Sequence, residues 1–279
     1  MNNRSVKIMD FLANNVTVKV SLLAELLDVS LVTLRRDLDN LGKMGIVKYH
    51  HGYVSLEGAD ITSKRIAFYY LIKRRIARAA AQTISDGETV MIESGSCCTL
   101  FAEELALIRK NVTIVTNSLY VTNFVRNIKS INIILLGGCF QPESQVVVGS
   151  IVSKYANIFN IDKFFIGTDG FIPEQGFTGG DFSRAETIVE LADSARKTFV
   201  LTESAKFRNH GAYSLLQFDM LTGVITDDKI PKEAEDILTK NNIQLLKVPS
   251  VDEKYIWRQF PGQMPILYKE KEWGSETLD

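Results

Sequence analysis

A chain of 279 residues, 46% apolar and 23% charged, has room for one small and one medium core, because single cores stop growing near about 250–300 residues. Its formal net charge of -1 excludes a uniformly basic nucleic-acid binder, and no stretch approaches the roughly 18 uninterrupted apolar residues of a membrane helix. Three cysteines, Cys97, Cys98 and Cys139, give neither an even disulfide framework nor metal-ligand spacing, so reduced thiols, a cytoplasmic location and no metal or cofactor are expected.

Residues 1–58 are predicted to form three short helices and a hairpin. Asp10, Asn14 and Asn15 interrupt the first apolar stretch, unlike the unbroken core of a secretory signal. Ile8, Phe11 and Leu12 are spaced as one face of a helix, and Leu23, Leu26 and Leu27 repeat that spacing. Asp28 and Val29 alone separate the second helix from Ser30. Asp tolerates a left-handed turn and Ser caps a helix start, so a helix-turn-helix is predicted. In the third helix Leu31, Leu34, Leu38 and Leu41 form the inward stripe. Gly45 stops it, and residues 46–54 read as a hairpin, or wing.

Residues 59–74 read as a polar connector leading into the aromatic Phe68, Tyr69 and Tyr70. Over 75–250, short β-rich runs at 89–93, 112–116, 131–136, 163–168, 198–202 and 222–226 alternate with helical segments at 97–108, 118–128, 150–159, 183–195 and 231–240. That alternation predicts an α/β domain with a Rossmann-like parallel sheet, whose ligands bind beyond the carboxyl ends of the strands. Those ends carry Gly95, Ser96 and Cys97 after the first strand, then Asn117 and Ser118, Gly137 and Gly138, and Asp169 and Gly170. Each junction alone is an ordinary turn; four in a row describe one crevice. A helix amino end at Ser96 offers free amides to an anion. It also favours thiolate, so Cys97 is read either as a thiol sensor or, more ordinarily, as a small buried hydrophobe. Residues 251–279, with Trp257, Trp273, Pro261 and Pro265, show no clear period and receive no role.

Residues 1–58 carry seven Lys or Arg against six Asp or Glu, so charge does not decide whether this part binds DNA and positions must. A recognition helix buries one face and offers donors from the other to the major groove. With the leucines inward, Val32, Thr33, Arg35, Arg36, Asp39 and Asn40 point outward. The bland alternative is a solvated surface helix in which Arg35 pairs with Asp39 at i+4.

The string VSLVTLRRDLDNLGKMGIV, preceded by LLAELLD and followed by HHG, resembles the DeoR family of transcription regulators. The family pattern is matched by Leu23, Ala24, Val29, Ser30, Thr33, Leu34, Arg35, Arg36, Asp37, Leu38, Leu41, Gly45, His51 and Gly52. Asp28 stands where Gly is usual, Tyr49 where the wing has Arg, and Tyr53 with Val54 where Gly-Ala is expected. The resemblance implies DNA contacts from Ser30, Val32, Thr33, Arg35, Arg36 and Asn40, and from Lys48 and His51 of the wing. It extends over residues 73–247, where it implies a sensor domain similar to ribose-phosphate isomerases. The implied effector is a phosphorylated sugar, with its phosphate at Gly95, Ser96 and Cys97 and the rest near Asn117, Ser118, Gly137, Gly138, Asp169, Gly170, Glu186 and Lys206. Glu93, the Cys97–Cys98 pair and Glu203 replace the usual Asp, Thr pair and Asp.

Likeness to isomerases makes catalysis the competing reading, since Glu186 matches the carboxylate that shuttles a proton. The second Asp and the loop Lys of the isomerase pattern are absent from the corresponding Asp169-Gly170-Phe171-Ile172 and Phe177-Thr178-Gly179-Gly180, so sensing without turnover is expected and no catalytic residue is assigned. One reader buries too little surface for tight operator binding, which implies a homodimer or homotetramer. Most family members are repressors of sugar-catabolism operons, with a ligand-dependent activator as the alternative sign.

Overall fold

The computed structural model describes residues 3–13, 17–56 and 65–250; the tail 251–279 lies outside them, as do residues 59–64 of the expected connector. The amino-terminal part consists of helices α1 (Asn3–Ala13), α2 (Val20–Leu26) and α3 (Leu31–Lys43) with strands β1 (Val18–Lys19), β2 (Val47–His50) and β3 (Tyr53–Leu56). The strands form an antiparallel sheet in the order β1-β3-β2. The hairpin is therefore widened by a strand too short to read from the sequence.

Local chemistry sets the helix ends. Asp28 takes the left-handed conformation at φ 52°, and the Val29 amide then donates to the Ala24 carbonyl at 3.0 Å, closing α2 with a Schellman bond. Two residues later the Ser30 hydroxyl accepts from the Thr33 amide at 3.2 Å and opens α3. That helix ends the same way, with Ile46 donating to Leu41 at 3.0 Å. Leu34, Leu38 and Leu41 are buried against Ile8, Leu12 and Leu23. Leu31 departs from the expected stripe: it is 43% exposed, because the first turn of α3 projects past the core that the later leucines fill. Asp37 is buried and pairs with Arg4 of α1.

Helix α4 (Tyr70–Gln82) begins inside the segment expected to be a connector. Ile72, Ile76, Ala77, Ala80 and Ala81 form its buried face. Beyond it lies a seven-stranded parallel sheet of β4 (Thr89–Ile92), β5 (Val112–Thr116), β6 (Ile131–Leu135), β9 (Lys163–Ile166), β12 (Thr198–Leu201), β14 (Gly223–Asp227) and β15 (Gln244–Val248). Its order is β15-β14-β12-β9-β4-β5-β6. Six strands match the expected runs, and β15 adds a seventh on one edge.

Helices α4, α5 (Ser96–Ile108) and α6 (Leu119–Val125) cover one face of the sheet with Val90, Ile92, Ile114 and Phe165. Helices α7 (Ser150–Ala156), α8 (Phe182–Ala192) and α9 (Lys232–Lys240) cover the other with Met91, Val115, Phe164 and Ile166. Successive strand residues alternate between the two layers, as a sheet buried on both faces requires. Two small antiparallel sheets complete the fold: the hairpin β7 (Cys139–Gln141) with β8 (Val146–Val148), and β10 (Gly170–Ile172), β11 (Gly176–Gly179) and β13 (Tyr213–Leu216). Among the described residues no helix is long and apolar enough to cross a membrane.

Candidate functional site

Two surfaces stand out. On α3, Val32 is 77% exposed, Arg35, Arg36, Asp39 and Asn40 are exposed, and Thr33 is half-buried. Neither arginine forms an ion pair among the described residues, so the Arg35–Asp39 pairing of the bland alternative is not made. The wing places Lys48, His51, Tyr49 and Tyr53 in solvent. His51 and Gly52 turn the hairpin at φ 48° and 82°, the two successive positive values of a tight hairpin turn.

The second surface is a crevice where the winding of the large sheet reverses. From β4 the chain builds outward through β5 and β6, then returns to place β9 on the other side of β4. The carboxyl ends of β4 and β9 thus diverge, leaving the opening in which such sheets bind ligands. Ser94, Gly95, Ser96 and Cys97 line it from β4, and Gly167, Thr168 and Asp169 from β9. Gly95 sits at φ 117°, backbone that a side chain would strain, and it starts the 13-residue helix α5. The amides of that first turn lack intrahelical acceptors.

Charged groups converge here from distant parts of the chain. Glu93 is 1% exposed and receives Arg184 at 2.9 Å and the Ser94 hydroxyl at 2.7 Å. Burial works against the Arg184 charge, but Glu93, Asp169 and Asp181 together more than restore it. Asp169 accepts from Arg65 at 2.8 Å and from the Gly180 amide at 2.9 Å. Burial alone would push its carboxyl up; Arg65, Gly180, Lys206 and Arg184 together bring it below the usual range. Lys73, 2% exposed, donates to the Arg65 carbonyl and lies 3.7 Å from Glu203. The Lys206 side chain lines the crevice and makes no ion pair or hydrogen bond among the described residues.

Of the sequence-predicted effector residues, Gly95, Ser96, Cys97, Asp169 and Lys206 line this crevice. The others do not, and each has a physical reason. Asn117 bonds the Val147 carbonyl at 3.0 Å and Ser118 caps α6, at the end of a strand one place further from the reversal. A side chain at Gly138 would meet Val152 at 2.6 Å, so that Gly lets a hairpin pack on α7, with Gly137 exposed beside it. Gly170 is buried in β10 where the Asn209 backbone approaches. Glu186 is exposed on the outer face of α8, while Arg184, two positions earlier, points inward. Arg65, Lys73, Arg184 and Glu203 are the charged partners that the junction pattern missed.

Cys97 is buried, 3.7 Å from Glu203. Burial pushes its thiol well above the ordinary range, Glu203 adds to this, and Lys73 opposes it. Burial therefore favours the reading of Cys97 as a small buried hydrophobe over that of a thiol sensor, since desolvation disfavours the thiolate. Alkylation of the native protein at neutral pH is expected to label exposed Cys139 and spare Cys97 and Cys98. Peptide mass analysis showing Cys97 modified as fast as Cys139 would refute this.

Comparison with known proteins matches these two parts separately. Residues 4–59 match the DeoR-like helix-turn-helix domain, and residues 70–228 the DeoR C terminal sensor domain. The HTH-type transcriptional regulator IolR of Bacillus subtilis is 27% identical over 84% of this chain and 94% of its own. The glycerol-3-phosphate regulon repressor of Escherichia coli is 28% identical over 80% of this chain and 89% of its own. Among solved structures, the ribose 5 phosphate isomerase A of Neisseria gonorrhoeae aligns with 48% of this chain and 52% of its own, at 16% identity and a TM-score of 0.36. Since the sensor-domain match alone spans more than half of the sequence and the helix-turn-helix match precedes it in order, the chain belongs to the DeoR family of transcription regulators.

Proposed function

We propose that this chain represses a sugar-catabolism operon, binding operator DNA as a homodimer or homotetramer through residues 1–58, under control of a phosphorylated sugar held in the crevice of residues 75–250 and α4. The observation that carries the sensing half is Lys206, whose side chain makes no hydrogen bond or ion pair among the described residues and lines the same crevice as a helix amino end. A phosphate dianion satisfies both at once. Asp169, Thr168 and the Gly180 region offer acceptors and donors to sugar hydroxyls. The carrying observation for DNA reading is the exposed Arg35–Arg36 pair on a capped helix with Val32 and Thr33 ahead of it. Ser30 fixes the cap, Asn40 extends the face, and Lys48 and His51 reach phosphates from the wing.

The crevice is read as binding without turnover, and the exposed position of Glu186 supports this, because a proton shuttle must touch its substrate. The repressor sign follows the printed role of the Escherichia coli relative. Thermal-shift measurement with glycerol 3-phosphate, fructose 6-phosphate and other sugar phosphates tests the reading. At least one is expected to raise the melting temperature of the wild-type chain. Lys206→Gln is expected to weaken that compound about tenfold or more, as loss of a charge-assisted hydrogen bond implies, with DNA affinity in its absence unchanged. Equal responses of Lys206→Gln and wild type would remove Lys206 from the site, and turnover of any of the panel would replace sensing with catalysis.

A further inference from the structure

Arg65 holds a position that neither the helix-turn-helix nor the sensor accounts for. It follows residues 57–64, through which the chain passes from the DNA-reading half into α4, yet its side chain lines the effector crevice. Two pins fix it there. Its guanidinium donates to Asp169 at 2.8 Å, across 104 residues of sequence, and its carbonyl accepts from buried Lys73. Both pinning groups belong to the crevice. The next residues, Ile66 and Ala67, are 0% and 2% exposed, so movement of Arg65 carries buried chain with it. Its side chain is 40% exposed, which gives the guanidinium room to turn toward a ligand.

We infer that Arg65 is the positioning residue through which crevice occupancy reaches the DNA-reading half: ligand hydroxyls take over the Asp169 carboxylate, and the released guanidinium turns to the ligand's anionic group. This rests on the phosphorylated-sugar reading above. A polyol phosphate offers a substitute for each half of the ion pair, hydroxyl donors for Asp169 and an anion for Arg65, whereas a neutral sugar offers only the first. Because an effector acts through its different affinity for two states, exchanging this ion pair supplies such a difference at the point where the two halves join. The other crevice cations lack that reach: Arg184 is tied to buried Glu93, Lys73 is buried and held between Glu203 and the Arg65 carbonyl, and Lys206 lies far along the chain.

The test is hydrogen exchange, read by mass spectrometry, of the peptide covering residues 65–69 in the full chain. Without ligand, Asp169→Asn and Arg65→Gln are each expected to speed exchange of this peptide about tenfold, the double variant no further, since all three break one contact. Exchange unchanged in Asp169→Asn would overturn the pin. With a compound that raises the wild-type melting temperature, exchange in the wild type is expected to rise and that in Arg65→Gln to stay where it is; a wild-type peptide indifferent to the bound compound would overturn the coupling. Inorganic phosphate serves as the bare anion and is expected to stabilise the protein without speeding exchange. If neither a sugar phosphate nor inorganic phosphate raises the melting temperature, the phosphorylated-sugar reading fails, and the ligand-free comparison still upholds or overturns Arg65 as the held residue.

Discussion

Arg184→Ala is expected to cost about 3–5 kcal/mol of folding stability, the range for removing one partner of a buried ion pair. Glu93 is 1% exposed, and without the guanidinium its buried carboxylate keeps, among the described residues, the Ser94 hydroxyl as its one side-chain donor. The loss is a large share of the roughly 5–15 kcal/mol that holds a domain together. Urea unfolding followed by circular dichroism checks it as a lower midpoint with unchanged slope. Pairing the change with Glu93→Gln removes the orphaned charge, so the double variant is expected to recover much of the loss. A midpoint for Arg184→Ala within about 0.5 kcal/mol of wild type, the range of ordinary surface substitutions, would show that the pair is solvated and that Arg184 does not organise the crevice. The same variant also separates Arg184 from Glu186: Glu186→Ala, on the exposed face, is expected to leave both stability and ligand response unchanged.

Replacing Arg35 or Arg36 by Ala is expected to cost about 1–3 kcal/mol of DNA affinity for each arginine that grips a guanine in bidentate fashion. Both side chains are exposed, so folding stability should not change with them. A duplex selected by the wild-type chain from a random pool provides the probe, with fluorescence anisotropy at fixed salt as the readout. Loss at a guanine contact relaxes the preference for that base. Lys48→Ala is expected to weaken all duplexes alike and to lower the salt slope by about one, the signature of a phosphate contact. Wild-type affinity in the Arg35→Ala, Arg36→Ala double variant would place DNA reading elsewhere on the molecule.

Much of the amino-terminal part was legible because its determinants are local. Asp28 in the left-handed turn, Ser30 at the cap and the stop at Gly45 act within four or five residues of themselves, and the leucine spacing names the buried face. Leu31 escaped that rule, since periodicity gives the direction of a side chain and not where the core ends. In the larger part, six central strands announced themselves as short β-branched runs. The edge strand Gln244–Val248, with its exposed Gln244 and Lys247, carries no such signal, and the small antiparallel sheets are built from segments of three or four residues.

The sequence by itself determined that a capped, arginine-bearing helix precedes an alternating α/β domain, because caps, turns and periodicity are properties of neighbouring residues. Only the tertiary structure decided which strand ends share a crevice. Strand order is set by how the chain winds, so the ends of β4 and β9 meet at the reversal while Asn117, Ser118, Gly137 and Gly138 fall on strands further out. It also decided the charged partners: Arg65 with Asp169, Lys73 with Glu203 and Arg184 with Glu93 are pairs separated by 91 residues or more, whose mutual need appears only once burial removes water from around them. Glu186 and Arg184 show the same division on a single helix, where two positions of sequence turn a side chain to the opposite face.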